Sequence, residues 1–254
     1  MNVVLRTICQ RTLIYYVLNK KGKLYLIPCP LGESAVHTIP PYVVEILHGL
    51  DVFIAERAKT ARHFIKSTGP SKAFSELEFY ELNKRSTPEE INTFLQDAIK
   101  GKDIGLLSEA GCPGVADPGA VIVNMAHRQG IEVIPLVGPS SILLALMGSG
   151  MSGQSFTFHG YLPVKKPDLA KELKRLEQLS GRFKQTQIFI ETPYRSNSML
   201  EELLKVLNPS TKVGVSTDLT LPSQYIKTMR VKDWKTNSLP DLHKRPTVFL
   251  IEVS

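Results

Sequence analysis

The chain is poor in the residues that indicate disulfide, metal or membrane proteins. Its three cysteines, Cys9, Cys29 and Cys112, are odd in number and far apart, so they fit neither a disulfide framework nor a zinc pattern. The six histidines show no H-E-x-x-H spacing. No stretch approaches the roughly 20 apolar residues that a bilayer span needs. We therefore expect a cytoplasmic protein with no metal site and no membrane contact.

Two common nucleotide-binding motifs are also missing. Neither G-x-G-x-G nor G-x-G-x-x-G follows the first predicted strand, and G-x-x-x-x-G-K-[ST] does not occur. These absences argue against a Rossmann dinucleotide site, a common Rossmann-type methyltransferase and a nucleotide-triphosphate loop. The sequence also shows no catalytic triad and no carboxylate pair, so the catalytic residues stay unknown at this point.

The first residues carry no recognisable chemistry. The apolar run Thr12–Leu18 is short, and no small-residue cleavage site follows it, which argues against a secretory signal. We predict that residues 1–22 form an N-terminal extension.

Positive charge is concentrated in the second part of the chain. Of the net charge of +7, residues 1–150 contribute +1 (15 basic, 14 acidic) and residues 151–254 contribute +6 (16 basic, 10 acidic). Seven basic residues lie between Lys165 and Lys184. A basic face suits a polyanion such as RNA, yet leucines at helical spacing in 169–179 also fit an ordinary amphipathic helix. Both interpretations can hold, with leucines inward and lysines toward RNA.

Apolar runs and amphipathic stretches alternate in the first half of the chain. The predicted strands are Leu24–Pro28, Asp51–Ala55, Asp103–Leu107 and Glu132–Val137. The predicted helices are Pro41–Gly49, Ala58–Thr68, Pro88–Lys100, Gly119–Gln129 and Ser140–Gly148. Strands that alternate with helices indicate a parallel sheet with right-handed crossovers. We therefore predict an N-terminal α/β domain, mainly a parallel sheet, at residues 23–150.

Strands without intervening helices are more frequent in the second half. The predicted strands are Phe156–Leu162, Gln187–Glu191, Val213–Thr217, Gln224–Val231 and Val248–Val253, and the predicted helices are Asp168–Leu179 and Ser196–Leu207. This order favours a mixed or antiparallel sheet. We predict a C-terminal α/β domain at residues 151–254, with the boundary at the glycine cluster near Gly148–Gln154.

Three loops rich in glycine and proline each follow a predicted strand of the first domain. They are the first loop (residues 28–32), the middle loop (residues 108–119) and the third loop (residues 138–141). Glycine permits positive φ and a close approach of the backbone to a ligand, and proline stiffens a loop. Loops at the carboxyl ends of parallel strands lie where open α/β sheets bind ligands. We therefore predict that the three loops meet at one cleft.

These loops carry a family resemblance. They read Pro28-Cys29-Pro30-Leu31-Gly32, then Ser108-Glu109-Ala110-Gly111-Cys112-Pro113 with Asp117-Pro118-Gly119, then Gly138-Pro139-Ser140-Ser141. In this order they resemble the tetrapyrrole methylase superfamily of S-adenosylmethionine-dependent methyltransferases, and within it the ribosomal RNA small-subunit methyltransferase I type. The resemblance runs from about Leu24 to Val253. It implies two α/β domains that bind S-adenosylmethionine in a cleft between them, usually as a homodimer.

The resemblance also implies eight cofactor-binding positions. They are Leu31, Cys112, Val115, Ser140, Ser141, Thr192, Ser216 and Thr247. For the two adjacent serines the alternative interpretation is a helix N-cap. For Cys112, which stands where related enzymes often have Asp or Thr, the alternative is a small buried apolar side chain.

The acceptor side is less well defined. Glu56, Glu109 and Asp117 are candidates for a general base, and each could instead cap a helix or pair with a nearby arginine. Arg195 is a candidate for a phosphate contact or for a structural ion pair. The chain also departs from the ribosomal RNA type, since Glu56-Arg57-Ala58-Lys59 stands where that type has Glu-Asp-Thr-Arg. Such departures fall on positions expected to face the acceptor.

Three functions remain open from the sequence. The first is methyl transfer from S-adenosylmethionine to RNA, at a ribose 2′-hydroxyl of small-subunit ribosomal RNA. The second is methyl transfer from the same donor to a tetrapyrrole or another small molecule. The third is a non-catalytic protein that binds the cofactor or RNA.

Overall fold

Five parallel strands form the centre of the first of two units in the chain. The computed structural model describes residues 21–253. The chain divides into its two units between Pro139 and Ser140. The predicted extension at residues 1–22, and Cys9 with it, lies outside the described residues apart from Lys21 and Gly22.

The first unit alternates strands and helices along the chain. Its strands are β1 (Lys23–Ile27), β2 (Val52–Ala55), β3 (Glu78–Glu81), β4 (Ile104–Leu107) and β5 (Glu132–Pro135). Its helices are α1 (Pro41–Gly49), α2 (Ala58–Ser67), α3 (Pro88–Ile91), α4 (Gln96–Ile99) and α5 (Ala120–Arg128). The strand order is β3-β2-β4-β1-β5, and every pairing is parallel. The predicted parallel sheet is thus confirmed.

The middle strands of this sheet are covered on both faces. Every residue of β2 and of β4 is buried, as expected for strands of a parallel sheet with helices on both sides. The neighbours β4, β1 and β5 precede the middle, first and third loops respectively. Since the three strands are parallel, their carboxyl ends lie along the same edge of the sheet.

Two elements of the first unit differ from the prediction. Strand β3 was not predicted, because it is an edge strand whose two ends are exposed glutamates rather than an apolar run. The predicted helix Pro88–Lys100 is two short helices. Between them the backbone forms i to i+3 hydrogen bonds, such as Phe94 N to Ile91 O, in place of the i to i+4 bonds of an α-helix.

The second unit contains a mixed five-stranded sheet. Its strands are β6 (Phe156–Tyr161), β7 (Thr186–Glu191), β8 (Lys212–Thr217), β9 (Tyr225–Arg230) and β10 (Thr247–Glu252), in the order β6-β7-β10-β8-β9. Its helices are α6 (Ser141–Ser149), α7 (Lys166–Phe183), α8 (Ser196–Val206) and α9 (Val231–Trp234). Strands β6 and β7 are parallel and the other pairs are antiparallel, so the predicted mixed sheet is confirmed.

Helix α6 lies in the second unit rather than the first. It packs against β8, β9 and β10, with Ile142, Ala145 and Leu146 buried. Its apolar surface belongs to the core of the second sheet, so the units divide before α6, whereas the glycine cluster had placed the boundary at 150/151. Helix α9 was not predicted, and the predicted strand Gln224–Val231 overlaps it only at its first residue. Trp234 in α9 is fully buried, and its indole Nε1 donates to the Val213 carbonyl at 2.9 Å.

Helix α7 has the amphipathic character predicted from its leucines. Leu169, Leu173 and Leu176 are buried, while the basic side chains of the same segment are exposed. Among residues 21–253, none of the helices combines the length and the apolar character that crossing a bilayer requires.

Candidate functional site

The first and middle loops are joined through their backbones. The Cys29 N–H donates to the Gly111 carbonyl, and the Gly111 N–H donates to the Cys29 carbonyl, both at 2.9 Å. These two bonds form an isolated antiparallel bridge beyond the ends of β1 and β4. The bridge fixes the distance between the two loops without any side chain.

The third loop packs against the other two. A Cβ added at Gly138 would collide with the ring of Pro28 in the first loop. The Cys112 thiol lies 3.5 Å from the Pro139 carbonyl oxygen. Gly111 has a φ of +74°, and a Cβ there would lie 3.4 Å from Leu31 Cδ2. The structure therefore brings the three loops together, and it does so at positions where only glycine fits without strain.

Asp117 organises the middle loop. Its Oδ1 accepts hydrogen bonds from Gly114 N–H at 2.7 Å and from Gly119 N–H at 2.8 Å. Burial raises the pKa of the Asp117 carboxyl above its ordinary value, and the two backbone bonds act in the opposite direction. Because this oxygen already serves two backbone donors, Asp117 fits a structural role better than a role as general base.

A cavity of about 160 Å³ lies between the first loop, the start of the middle loop and helix α2. Its apolar wall includes Cys29, Leu31 and Phe64. Its polar wall includes Thr60, His63, Ser67, Ser108 and Glu109. An apolar wall beside a few polar side chains is typical of a small-molecule or nucleotide subsite.

Of the three candidate bases, Glu109 is the one that lines this cavity. Glu56 and Asp117 line a separate, much smaller void. Burial raises the pKa of the Glu109 carboxyl above its ordinary value, while the nearby Arg57 charge and Thr60 hydroxyl act to lower it. A half-buried carboxyl with a raised pKa is a stronger base than an exposed glutamate, which suits it to accepting a proton from a substrate.

Three of the predicted cofactor residues lie in the loops of the first unit. Leu31 and Cys112 are half-buried where the loops meet, and Val115 is 46% exposed in the middle loop. The structure places these three residues in the first and middle loops. Their contact with a cofactor stays a prediction.

The other five predicted residues lie in the second unit. Ser140 is the N-cap of α6, its Oγ accepting from Leu143 N–H at 3.4 Å, so the N-cap interpretation is confirmed for it. Ser141 is the first residue of the same helix. Thr192, Ser216 and Thr247 lie at one end of the second sheet.

This end of the second sheet is a row of polar residues. Across neighbouring strands, Thr247 pairs with Glu191 on one side and with Thr217 on the other. The Thr247 hydroxyl is buried and donates to Thr217 Oγ1 at 3.0 Å. The neighbouring Ser216 Oγ is buried and has no hydrogen-bond partner within the described residues. Ser216 is therefore a buried polar group for which a ligand would supply the missing partner.

Arg195 forms an ion pair. Its guanidinium lies 2.9 Å from Glu191 Oε2, four residues earlier, and Glu191 is buried. The structural interpretation of Arg195 is thus supported over the phosphate contact.

No group of three or more potential metal ligands occurs in the part of the chain that the structure describes.

Helix α2 contributes side chains to the cavity that were not expected from the sequence. Thr60, His63, Phe64 and Ser67 of this helix line the cavity, but they were not predicted as site residues. The available signal was the segment 57–67, which contains four Arg or Lys residues and one His without any acid.

Comparisons with known proteins identify the family. The family model for tetrapyrrole (corrin/porphyrin) methylases matches residues 23–234. Ribosomal RNA small subunit methyltransferase I of Escherichia coli O157:H7 is 30% identical over 202 residues, which cover 80% of this chain and 67% of that protein. The protein of the same name from Bacillus subtilis is 32% identical over 202 residues, covering 78% and 64%. The chain thus spans about two thirds of the length of these relatives.

Solved structures share the fold at lower identity. The methyltransferase CobJ aligns with a TM-score of 0.59 and 19% identity, over 91% of this chain and 94% of that one. Uroporphyrin-III C-methyltransferase from Thermus thermophilus, solved with S-adenosyl homocysteine, aligns with a TM-score of 0.53 and 17% identity, over 91% and 97%. Together with the family match over most of the chain, the parallel and mixed sheets and the three gathered loops lead to one conclusion: this chain belongs to the tetrapyrrole methylase family.

Proposed function

We propose that the protein is an S-adenosylmethionine-dependent methyltransferase whose acceptor is RNA, at a ribose 2′-hydroxyl of small-subunit ribosomal RNA. The observation that carries the proposal is the meeting of three glycine and proline loops beside a cavity that the candidate base Glu109 lines. The relatives that are named as ribosomal RNA methyltransferases support the choice of acceptor.

The residues present fit the proposed cofactor. Gly111 has a positive φ and no side chain where the first and third loops converge, so a ligand can approach the loops closely there. We propose Leu31, Cys112 and Val115 as its contacts in the first unit. In the second unit we keep Ser140, Ser141, Thr192, Ser216 and Thr247 as proposed contacts, and the unpartnered Ser216 hydroxyl supports this set.

The cofactor supplies, when bound, a methyl group made electrophilic by a sulfonium. The protein has to hold the acceptor oxygen in line and to take up its proton, and positioning of this kind provides much of an enzyme's acceleration. We propose that Glu109 accepts the hydroxyl proton, because it is the candidate carboxylate that faces the cavity. Thr60 and His63 of helix α2 would orient the sugar.

Methyl transfer to ribosomal subunits tests this function. We expect tritium from methyl-labelled cofactor to enter unmethylated 30S subunits, and nucleoside analysis to find the label on a 2′-O-methyl ribose. Label on the base would contradict the proposed atom. No incorporation together with tight cofactor binding would contradict the RNA acceptor.

A small-molecule acceptor is the second candidate, because the solved structures of similar fold include uroporphyrin methyltransferases. Parallel assays with uroporphyrinogen and with 30S subunits separate the two. Turnover with either acceptor excludes the third hypothesis, a non-catalytic binding protein.

We further propose that the protein is a cytoplasmic homodimer. Sedimentation tests the oligomeric state, and cell fractionation tests the location.

The reactivity of Cys29 and Cys112 tests whether the first and middle loops bind the cofactor. Cys29 is buried, and burial raises the pKa of its thiol to about 12, so we expect it to resist alkylation in the native protein. Cys112 is half-buried with a pKa raised by burial, so it should react slowly with iodoacetamide. We expect S-adenosylhomocysteine to slow this reaction further. Peptide mass spectrometry over time measures both rates, and a Cys112 rate that is indifferent to the ligand would contradict the assignment.

A further inference from the structure

Helix α2 is a strongly basic element next to the cavity. Its exposed residues, with the preceding arginine, include Arg57, Lys59, Arg62, His63 and Lys66. The helix contains no acidic residue, and none of its basic groups takes part in an ion pair within 21–253. By contrast, Lys174 and Arg175 of helix α7 are paired with glutamates of their own helix. Helix α7 also has basic residues without an ion pair among the described residues, Lys166, Lys171 and Arg182, but only α2 contributes residues to the cavity wall.

The basic side chains and the cavity wall occupy neighbouring faces of the helix. Lys59, Arg62 and Lys66 recur at i, i+3 and i+7, which places them on one side. The cavity-lining positions Thr60 and Ser67 are each displaced by one residue from this stripe. Lys59 and Lys66 are about 10 Å apart along the helix axis. Lys59 and Lys66 are thus the helical neighbours of the cavity-lining His63, four residues before it and three after it, while Arg62 lies farther round the helix.

One of these cations is already held in position. The Arg62 guanidinium lies 4.5 Å from the centroid of the Phe79 ring of β3. A cation over an aromatic face keeps its charge and loses part of its freedom. Phosphate groups are the partners that an unpaired, preorganised guanidinium and two flanking ammonium groups favour.

We propose that the acceptor RNA crosses helix α2, with backbone phosphates on Lys59, Arg62 and Lys66 and with the target nucleotide in the cavity beside Glu109. This inference rests on the proposed function and adds the path of the RNA to it. It assigns the main phosphate contacts to the first unit, whereas the sequence had suggested the basic segment 165–184. The adjoining cavity of about 160 Å³ holds a sugar or a part of a nucleotide rather than a helix of RNA, so the bound segment is single-stranded.

A charge-matched pair of triple variants tests the path. The first is Lys59→Gln, Arg62→Gln, Lys66→Gln. The second, as control, is Lys100→Gln, Arg128→Gln, Lys205→Gln, which removes the same charges from exposed positions outside the proposed site. Glutamine has a helix propensity close to that of lysine and arginine, so both variants should fold. Melting temperatures and S-adenosylhomocysteine binding check this.

The readout is binding of a short single-stranded RNA at several salt concentrations. Each lost phosphate contact lowers the slope of log affinity against log salt by about 0.7, so the α2 variant should lose about 2 from the slope and at least ~10-fold in affinity at low salt. The control should keep the wild-type slope. The double variant Lys59→Gln, Lys66→Gln leaves Arg62 on Phe79 and should give an intermediate slope.

The outcomes separate the path from the function. Methylation of 30S subunits by the wild type, together with an unchanged slope and KM in the α2 variant, would overturn the path alone. Absence of salt-dependent RNA binding by the wild type would overturn the path and the RNA acceptor together. A slope reduced equally in the control variant would also overturn the path, since the attraction would then be spread over the surface.

Discussion

Replacing Glu109 with glutamine is expected to lower kcat for methyl transfer by ~10²–10⁴-fold, the range for loss of a positioned acid or base. Glutamine keeps the size of the side chain and its place on the cavity wall, but it cannot accept the hydroxyl proton. S-adenosylhomocysteine affinity should stay at the wild-type value, because the loop contacts proposed for the cofactor do not include this carboxyl. Initial rates and calorimetry on the same preparation measure both quantities.

The pH profile distinguishes a base from a merely structural carboxyl. A general base works when ionised, so kcat/KM should fall as the pH falls through the pKa of Glu109. Since burial raises that pKa, the fall should occur at higher pH than for an ordinary glutamate. The Glu109→Gln variant should lack this acid limb. A variant that keeps both the rate and the limb would contradict the assignment.

Stability provides the control for this variant. A carboxyl whose pKa is raised in the folded state binds its proton more tightly there than in the unfolded chain, so its contribution to stability grows as the pH falls. Because burial disfavours the ionised carboxyl in the folded state, a neutral glutamine at this position should not lower Tm. Glu56→Gln is the matched comparison, because Glu56 lines the smaller void. We expect this variant to retain most of the activity.

Replacing Gly138 with alanine is the second change with a large expected effect. The added Cβ would meet Cγ and Cβ of the Pro28 ring, so the third loop has to move away from the first. Overpacking of this kind costs about 1–3 kcal/mol. If the gathered loops bind the cofactor, its affinity should fall by roughly 5- to 150-fold, which is that free energy expressed as a ratio. Calorimetry with S-adenosylhomocysteine measures the loss.

Gly49→Ala is the matched control for the loop variant. Gly49 is the last residue of α1, and a Cβ there meets nothing within 4 Å. Alanine also favours a helix over glycine by up to about 1 kcal/mol. We expect unchanged cofactor affinity and an equal or higher Tm. Wild-type affinity in Gly138→Ala would show that the contact between the loops is not needed for binding.

Local pattern and spacing predicted most of the fold. The parallel sheet could be predicted because its buried strands are continuous apolar runs between amphipathic helices, as in β2 and β4. Strand β3 could not, since an edge strand with charged ends owes its pairing to its neighbour rather than to its own pattern. The place of α6 also required the structure, because an apolar helix after the third loop is compatible with either sheet.

The site was predictable in one respect and not in another. The glycine and proline spacing indicated that the loops meet, because backbone requirements are visible in sequence. The cavity wall on α2 was not visible, since Thr60, His63 and Phe64 are ordinary helix residues until the first loop is placed opposite them. The choice of Glu109 over Glu56 and Asp117 likewise depended on which carboxyl the strand ends turn toward the cavity.

The bridge between Cys29 and Gly111 uses main-chain atoms alone. Side chains along this rim can therefore drift during evolution without changing the separation of the loops, provided that the glycines persist. Laboratory selection for new acceptors could accordingly diversify the α2 wall while the donor-binding scaffold stays intact.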